Sequence, residues 1–183
     1  MTYKLVLNWF FVKLNKLERL ISSYRDFPKK GIVFRDVLEI LQEPIIFNEL
    51  IKNMSNIDFL LNSDAIISID ARGFIFGSAI SLYTSKPLIF ARKPGKLPGE
   101  LLSKTYDLEY GKNSLSIQKK SIDKFNSFVI VDDLIATGGT VNCVYEILSS
   151  QNKKVNGLSV VIELEEFNAS SKLPFEISSQ IKV

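Results

Sequence analysis

The segment Phe128-Val-Ile-Val-Asp-Asp-Leu-Ile-Ala-Thr-Gly-Gly-Thr140 concentrates more chemistry than any other stretch of the chain. An apolar run delivers two adjacent carboxylates, Asp132 and Asp133, and then a glycine turn flanked by hydroxyls. Paired carboxylates accept hydrogen bonds from vicinal hydroxyls such as those of a ribose. Gly138 and Gly139 let the backbone come close to a phosphate, Thr137 and Thr140 supply hydroxyls, and a helix starting there adds free N–H groups and a positive dipole. Carboxylates repel phosphate, so the two subsites must be separate in space. Taken alone, Thr-Gly-Gly-Thr is also a plain tight turn and the Asp pair a capping cluster. The complete order of strand, two acids, turn and helix selects a sugar-phosphate cradle. The segment matches neither the dinucleotide pattern G-x-G-x-x-G nor the P-loop ending in Gly-Lys-Ser/Thr.

Such a cradle needs a sheet behind it. Ala65–Ile69, Pro87–Ala91, Phe128–Val131 and Leu158–Ile162 are near-continuous apolar runs of the kind that parallel strands covered on both faces require. Gly73–Tyr83 and Thr140–Ser149 lie between them with the length and pattern of helices. The alternation predicts an α/β fold with a mainly parallel central sheet flanked by helices, in which ligands collect at the carboxyl ends of the strands. Leu14, Leu17, Leu20, Ile21 and Tyr24 recur at helical spacing and predict an amphipathic helix over residues 10–24, and a second helix is expected around 44–55. Pro28 and Gly31 place residues 27–36 in a loop. Residues 93–113 are rich in turn-formers and then in polar and aromatic residues, so they read as a long loop or a hairpin insertion, and on length alone as a candidate lid. No internal repeat is evident, and a single domain over 1–183 is expected.

The 183 residues hold 46% hydrophobic and 23% charged side chains, the composition of a folded globular chain rather than a disordered or low-complexity one. Histidine is absent. That removes Ser-His and Cys-His catalysis and every His-ligated metal site, so acid–base work falls to carboxylates, Lys or Tyr. The net charge of +3 suits a local anion site better than a nucleic-acid stripe. The lone Cys143 cannot form an internal disulfide, which makes the cytoplasm the expected compartment. The apolar run Met1–Val12 is interrupted by Asn8 and lacks a small-residue cleavage site, so neither a signal peptide nor a membrane span is expected.

The hydrophobic–Asp–Asp–Leu-Ile-Ala-Thr-Gly-Gly-Thr order resembles the phosphoribosyl-pyrophosphate signature of the type I phosphoribosyltransferases. Three further segments resemble the branch of that family that acts on adenine: Asp26–Asp36, Ala71-Arg-Gly-Phe-Ile-Phe-Gly77, and Arg92-Lys-Pro-Gly-Lys-Leu-Pro-Gly99 followed by Leu108-Glu-Tyr-Gly111. Together they span residues 26–140 in the family's order. The resemblance implies a core parallel sheet with a small N-terminal hood (loop 26–36) and a flexible lid loop (93–113). It also implies a Mg²⁺-dependent purine-salvage reaction in which adenine and phosphoribosyl pyrophosphate give AMP and pyrophosphate, and a homodimer without nucleic-acid or membrane partners.

Carried over residue by residue, the resemblance makes Asp132 and Asp133 the ribose-hydroxyl pair, and Ala136, Thr137, Gly138, Gly139 and Thr140 the 5′-phosphate loop. Ala71, Arg72, Arg92, Lys93 and Lys96 would take the pyrophosphate. Ala71 departs from the family's usual Ser, which loses a hydroxyl but leaves the backbone donor. Glu109 matches the proposed acid–base residue. Val33 and Arg35 would hydrogen-bond adenine through their backbones, and Phe34 and Leu134 would hold its ring. No protein-built metal site is implied; the Mg²⁺ would be held mainly through phosphoribosyl pyrophosphate and water. Two other readings stay open on sequence alone: an enzyme of the same fold for another base, which would share Asp132–Thr140 but not the hood and lid segments, and a non-catalytic regulator that senses the ligand.

Overall fold

The structure, a computed structural model, describes residues 16–108 and 111–183. It forms two compact units, Met1–Leu50 and Ile51–Val183.

In the first unit, β1 (Ser22–Arg25) pairs antiparallel with β2 (Val33–Asp36), bringing Tyr24 opposite Phe34 and Arg25 opposite Val33. Asp26 turns the chain at φ 58° and Gly31 at φ 90°, and the Asp26 carboxylate accepts a 2.7 Å hydrogen bond from the Gly31 N–H. The rings of Phe27 and Phe34 meet edge to face at 5.2 Å, and the Arg35 guanidinium donates to Ser23 Oγ. Two sequence expectations fail here. Among the described residues the helix expected over 10–24 is helical only at 16–19, and Val33–Asp36 is a strand rather than loop. The apolar spacing is real, but the β1–β2 ladder satisfies the backbone of residues 22–25 across the turn, and two adjacent serines favour helix weakly. Residues 10–15 lie outside the described residues.

Helix α1 (Pro44–Ser55) confirms the second expected helix. Its buried Ile46, Leu50, Ile51 and Met54 lie on one stripe. The short α2 (Asp58–Leu61) leads into β3 (Ala65–Ile69), all of whose residues are buried. Next come α3 (Gly73–Thr84), β4 (Leu88–Ala91), the hairpin β5 (Leu101–Leu108) and β6 (Gly111–Gln118), and α4 (Lys119–Ile122). The chain closes with β7 (Ser127–Ile135), α5 (Gly139–Ser149), β8 (Lys154–Glu163) and β9 (Glu176–Lys182). The central sheet runs β4-β3-β7-β8-β9, and every pairing is parallel. All four predicted strands and both predicted crossover helices are present.

Two features of the second unit escape a reading of periodicity. The C-terminal edge strand β9 is not among the strands that apolar runs predict. Its Ser178 and Ser179 interrupt the apolar run, and Ser179 Oγ instead donates to the buried Glu163 carboxylate at 2.9 Å. The segment 93–113, expected as a long loop or a hairpin insertion, is part of a hairpin from Leu101 onward. Across its antiparallel ladder two side-chain pairs meet through hydroxyls, Ser103 with Ser116 at 2.7 Å and Thr105 with Ser114 at 2.8 Å, cross-strand contacts that hydrophobic periodicity does not register.

The order of the sheet also says where a ligand belongs. From β3 the chain runs outward to β4, then returns past β3 to place β7 on its other side. The crevice at a parallel sheet's reversal point lies beyond the carboxyl ends of the strands that flank it, here β3 and β7.

Candidate active site

Both strands end in chemistry. The peptide after β3 carries Asp70, Ala71 and Arg72 into the start of α3, and β7 carries Asp132 and Asp133. Between them lies a cleft of about 310 Å³ lined by Asp70, Ala71, Arg72, Lys93, Asp132, Asp133 and Thr140, with Tyr106, Asn113 and Leu115 of the hairpin and Ile69 completing the wall.

The acidic pair is buried, at 9% and 6% exposure, which is costly for carboxylates without partners. Arg72 Nη2 approaches Asp133 Oδ2 to 2.8 Å, and Asp132 Oδ1 accepts the Asp133 N–H at 2.9 Å. Burial pushes the Asp132 carboxyl well above the ordinary carboxylate range, and the neighbouring Asp133 charge adds to it. Burial raises Asp133 as well, against the opposing pull of Arg72. The pair offers acceptors of the kind that the donor hydroxyls of a sugar can meet.

The turn after β7 meets the requirement for a phosphate. Gly138 stands at φ 84°, ψ −3°, a left-handed conformation that glycine adopts without cost, and it caps α5. The Gly139 N–H leans toward Thr137 Oγ1 at 3.5 Å, and the first-turn N–H groups of α5 have no preceding helical carbonyl to meet. Thr137 is exposed, Thr140 lines the cleft, and Ala136 joins β7 to the turn.

One face of α5 also holds the hairpin. Thr140, Cys143 and Glu146, each three residues on, meet alternate residues of β5: Thr140 Oγ1 donates to the Tyr106 hydroxyl at 3.2 Å, Cys143 Sγ donates to the Lys104 carbonyl at 3.3 Å, and Glu146 pairs with Lys104 at 2.9 Å. The helix that follows the Gly138 turn thereby anchors β5. Burial raises the Tyr106 hydroxyl above its ordinary value and pushes the Cys143 thiol up to about 11. Cys143 is fully buried. It should therefore not react with an aromatic disulfide reagent at pH 8 in the folded protein and should release its single thiol only in denaturant; rapid reaction without denaturant would contradict this packing.

The remaining predicted site residues are placed as follows. Ala71 and Arg72 line the cleft, as does Lys93. Arg92 is turned to Asp70, with Nε 3.1 Å from Oδ2, its guanidinium lies 5.5 Å from the Phe74 ring centre, and it is not among the residues that line the cleft. Lys96 is exposed, and its carbonyl accepts a long 3.4 Å contact from Arg92. Leu134 is half-buried in β7. Val33, Phe34 and Arg35 stand on β2 of the first unit; Val33 and Arg35 are two apart, so their backbone groups point to the same edge of the ribbon. Glu109 lies outside the described residues. Among the described residues no cluster of three or more Asp, Glu or Cys could hold a metal. Sequence reasoning leaves Asp70 and Asn113 out of the site. Asn113 is the cross-strand partner of Tyr106, a relation visible only once the hairpin register is known.

Residues 36–174 match the phosphoribosyl transferase domain family. An adenine phosphoribosyltransferase of Prochlorococcus marinus (strain MIT 9515) is 64% identical over 167 residues, covering 91% of this chain and 98% of the relative. Among solved structures, the adenine phosphoribosyltransferase of Thermoanaerobacter pseudethanolicus superposes with a TM-score of 0.87 at 37% identity, covering 93% of this chain and 99% of that one. The Saccharomyces cerevisiae enzyme, solved with adenine and an imino-altritol bisphosphate, gives 0.83 at 31% identity over 93% of this chain and 99% of its own. A parallel sheet whose reversal point carries a buried acidic pair, an arginine and a glycine-led helix start, together with these matches over nearly the whole chain, places it in the phosphoribosyl transferase family, among the adenine phosphoribosyltransferases.

Proposed function

We propose that the chain transfers the 5-phosphoribosyl group of phosphoribosyl pyrophosphate to adenine, releasing pyrophosphate and AMP as a purine-salvage step. The observation that carries this reading is the buried Asp132–Asp133 pair beside Arg72 and immediately upstream of the Gly138 turn: acceptors for two ribose hydroxyls, then a separate seat for a phosphate.

In this reading Asp132 and Asp133 grip the ribose and favour positive charge at its anomeric carbon, while the Ala136–Thr140 turn holds the 5′-phosphate through N–H groups and hydroxyls. Ala71, through its backbone, and Arg72, Lys93, Lys96 and Arg92 receive the departing pyrophosphate. Arg92 exchanges its contact with Asp70 for phosphate oxygens. Glu109 manages the proton of the purine imidazole ring. Val33 and Arg35 hydrogen-bond the base through their backbones, and Phe34 and Leu134 supply apolar faces. Closure of the hairpin excludes water and protects the oxocarbenium-like transition state from hydrolysis.

Mg²⁺ is a hard ion that keeps several waters and binds phosphate oxygens, so in this reading it would arrive with phosphoribosyl pyrophosphate, held mainly through that substrate and water. Bound there, Mg²⁺ would offset charge on the leaving pyrophosphate. Among the described residues no helix is long and apolar enough to cross a membrane. We further take the enzyme to work as a homodimer in the cytoplasm, the single Cys143 suiting a reducing compartment.

Microscopic reversibility supplies a test. AMP and pyrophosphate with Mg²⁺ should yield free adenine and phosphoribosyl pyrophosphate, and excess chelator should stop the release until Mg²⁺ is restored. Adenine release that persists at full rate with chelator would refute the metal assignment; none under any condition would refute the transferase reading.

A further inference from the structure

Gly73 opens α3 directly against the acidic strand. A methyl group on its Cα would stand 2.7 Å from Asp132 Oδ1, 3.1 Å from the Val131 carbonyl oxygen and 3.2 Å from Asp132 Cα. Two of these three neighbours are backbone atoms of the buried residues Val131 and Asp132 and have little room to give, so the displacement falls first on the third and closest, the Asp132 carboxylate. Space is what demands glycine here, because the conformation is one any residue adopts and the first turn of a helix would otherwise favour alanine. The residue before it, Arg72, stands 2.8 Å from Asp133. Consecutive residues of the loop after β3 thus address consecutive carboxylates of β7.

We propose that Gly73 is a positioning residue for Asp132: its bare Cα seats the pyrophosphate loop on the acidic pair and holds the Asp132 carboxylate where a ribose hydroxyl meets it. Together with the Arg72–Asp133 contact, this seat ties the two halves of the cleft, so the loop that takes the leaving group also sets the geometry of the ribose site. The proposal rests on the ribose role of Asp132 given above.

Gly77 supplies an internal control. It lies one helical turn further along the same buried stripe, and a methyl group there would press on Ser68 at 2.5 Å from Oγ and 2.6 Å from Cβ, away from the carboxylates. Full-length Gly73→Ala and Gly77→Ala are compared with the wild type by steady-state kinetics, thermal midpoint and calorimetric titration with ribose 5-phosphate. Gly73→Ala is expected to raise the KM for phosphoribosyl pyrophosphate at least tenfold and to weaken ribose 5-phosphate binding by a similar factor, with the adenine KM within twofold of wild type. Gly77→Ala is expected to lower the thermal midpoint and leave both sugar-phosphate constants within twofold. Sugar-phosphate constants unchanged in Gly73→Ala, or changed equally in Gly77→Ala, would overturn the proposal.

Should Gly73→Ala not fold, the double variant Gly73→Ala with Asp132→Ala removes the carboxylate it strikes. Folding of the double variant supports the assignment; failure, where Asp132→Ala alone folds, overturns it. Because the titration needs no turnover, it reports on Gly73 even if the wild type makes no AMP, an outcome that would count against the transferase reading instead.

Discussion

Replacing Asp132 and Asp133 together by Asn is expected to cut kcat/KM for phosphoribosyl pyrophosphate by roughly a hundredfold to ten-thousandfold. A hydrogen bond to a charged group contributes about 1.5–3 kcal/mol, and the substitution turns two charged acceptors into neutral amides that also present N–H donors to the hydroxyls; each 1.4 kcal/mol is a factor of ten. The loss should fall mainly on sugar-phosphate binding, with the adenine KM little changed. The same variants separate function from stability. Because burial raises Asp132 in the folded state above its unfolded value, the folded state holds a proton more tightly than the unfolded one, and stability falls as pH climbs from the unfolded value through the folded one. The amide introduced by Asp132→Asn would keep an oxygen for the Asp133 N–H without bearing a charge. Asp132→Asn alone is therefore expected to melt at or above the wild-type temperature at pH 7, with the gap closing toward pH 4, even as activity drops. A variant that loses stability at pH 7 while keeping its substrate affinity would show that the pair is structural.

Glu109→Ala is expected to lower kcat by roughly a hundredfold or more, the range of a lost general acid–base group, while the KM for phosphoribosyl pyrophosphate changes less than threefold. The reason is chemical. In a chain without histidine a proton on a purine nitrogen must be handled by a carboxylate, lysine or tyrosine. Glu109 falls between β5 and β6, the strand pair that Tyr106, Lys104 and α5 anchor at the rim of the cleft. Glu109→Gln, which keeps the size and loses the charge, should reproduce the loss. A wild-type kcat in Glu109→Gln would remove the residue from proton transfer.

The physics of burial explains which parts of the fold are legible in the sequence. The strands β3, β7 and β8 are covered on both faces, so their apolar runs stand out, and the Asp132–Asp133 pair stands out against them because carboxylates rarely interrupt such a run. Gly138 is legible for a related reason, since a glycine ahead of a helix start signals a backbone conformation other residues avoid. What stays hidden depends on partners distant in sequence. Ser22–Arg25 becomes a strand only because Val33–Asp36 lies beside it. Ser103, Thr105, Ser114 and Ser116 pair through hydroxyls that look like loop composition. Arg92 has the residue type of a phosphate ligand, yet it donates to Asp70, 22 positions earlier, and does not line the cleft. The demand for glycine at position 73 comes from Asp132 on another strand and has no trace in the residues around it.

Nucleotide formation from phosphoribosyl pyrophosphate and Mg²⁺, with adenine, guanine, hypoxanthine, xanthine and orotate supplied in separate reactions, tests the central claim most directly. AMP and an equal amount of pyrophosphate are expected from adenine, and no nucleotide from the other four. Nucleotide from a different base would contradict the adenine assignment of Val33, Phe34, Arg35 and Leu134 while sparing the roles of Asp132–Thr140. Binding of phosphoribosyl pyrophosphate with no product from any base would contradict catalysis itself and make the protein a sensor of its ligand.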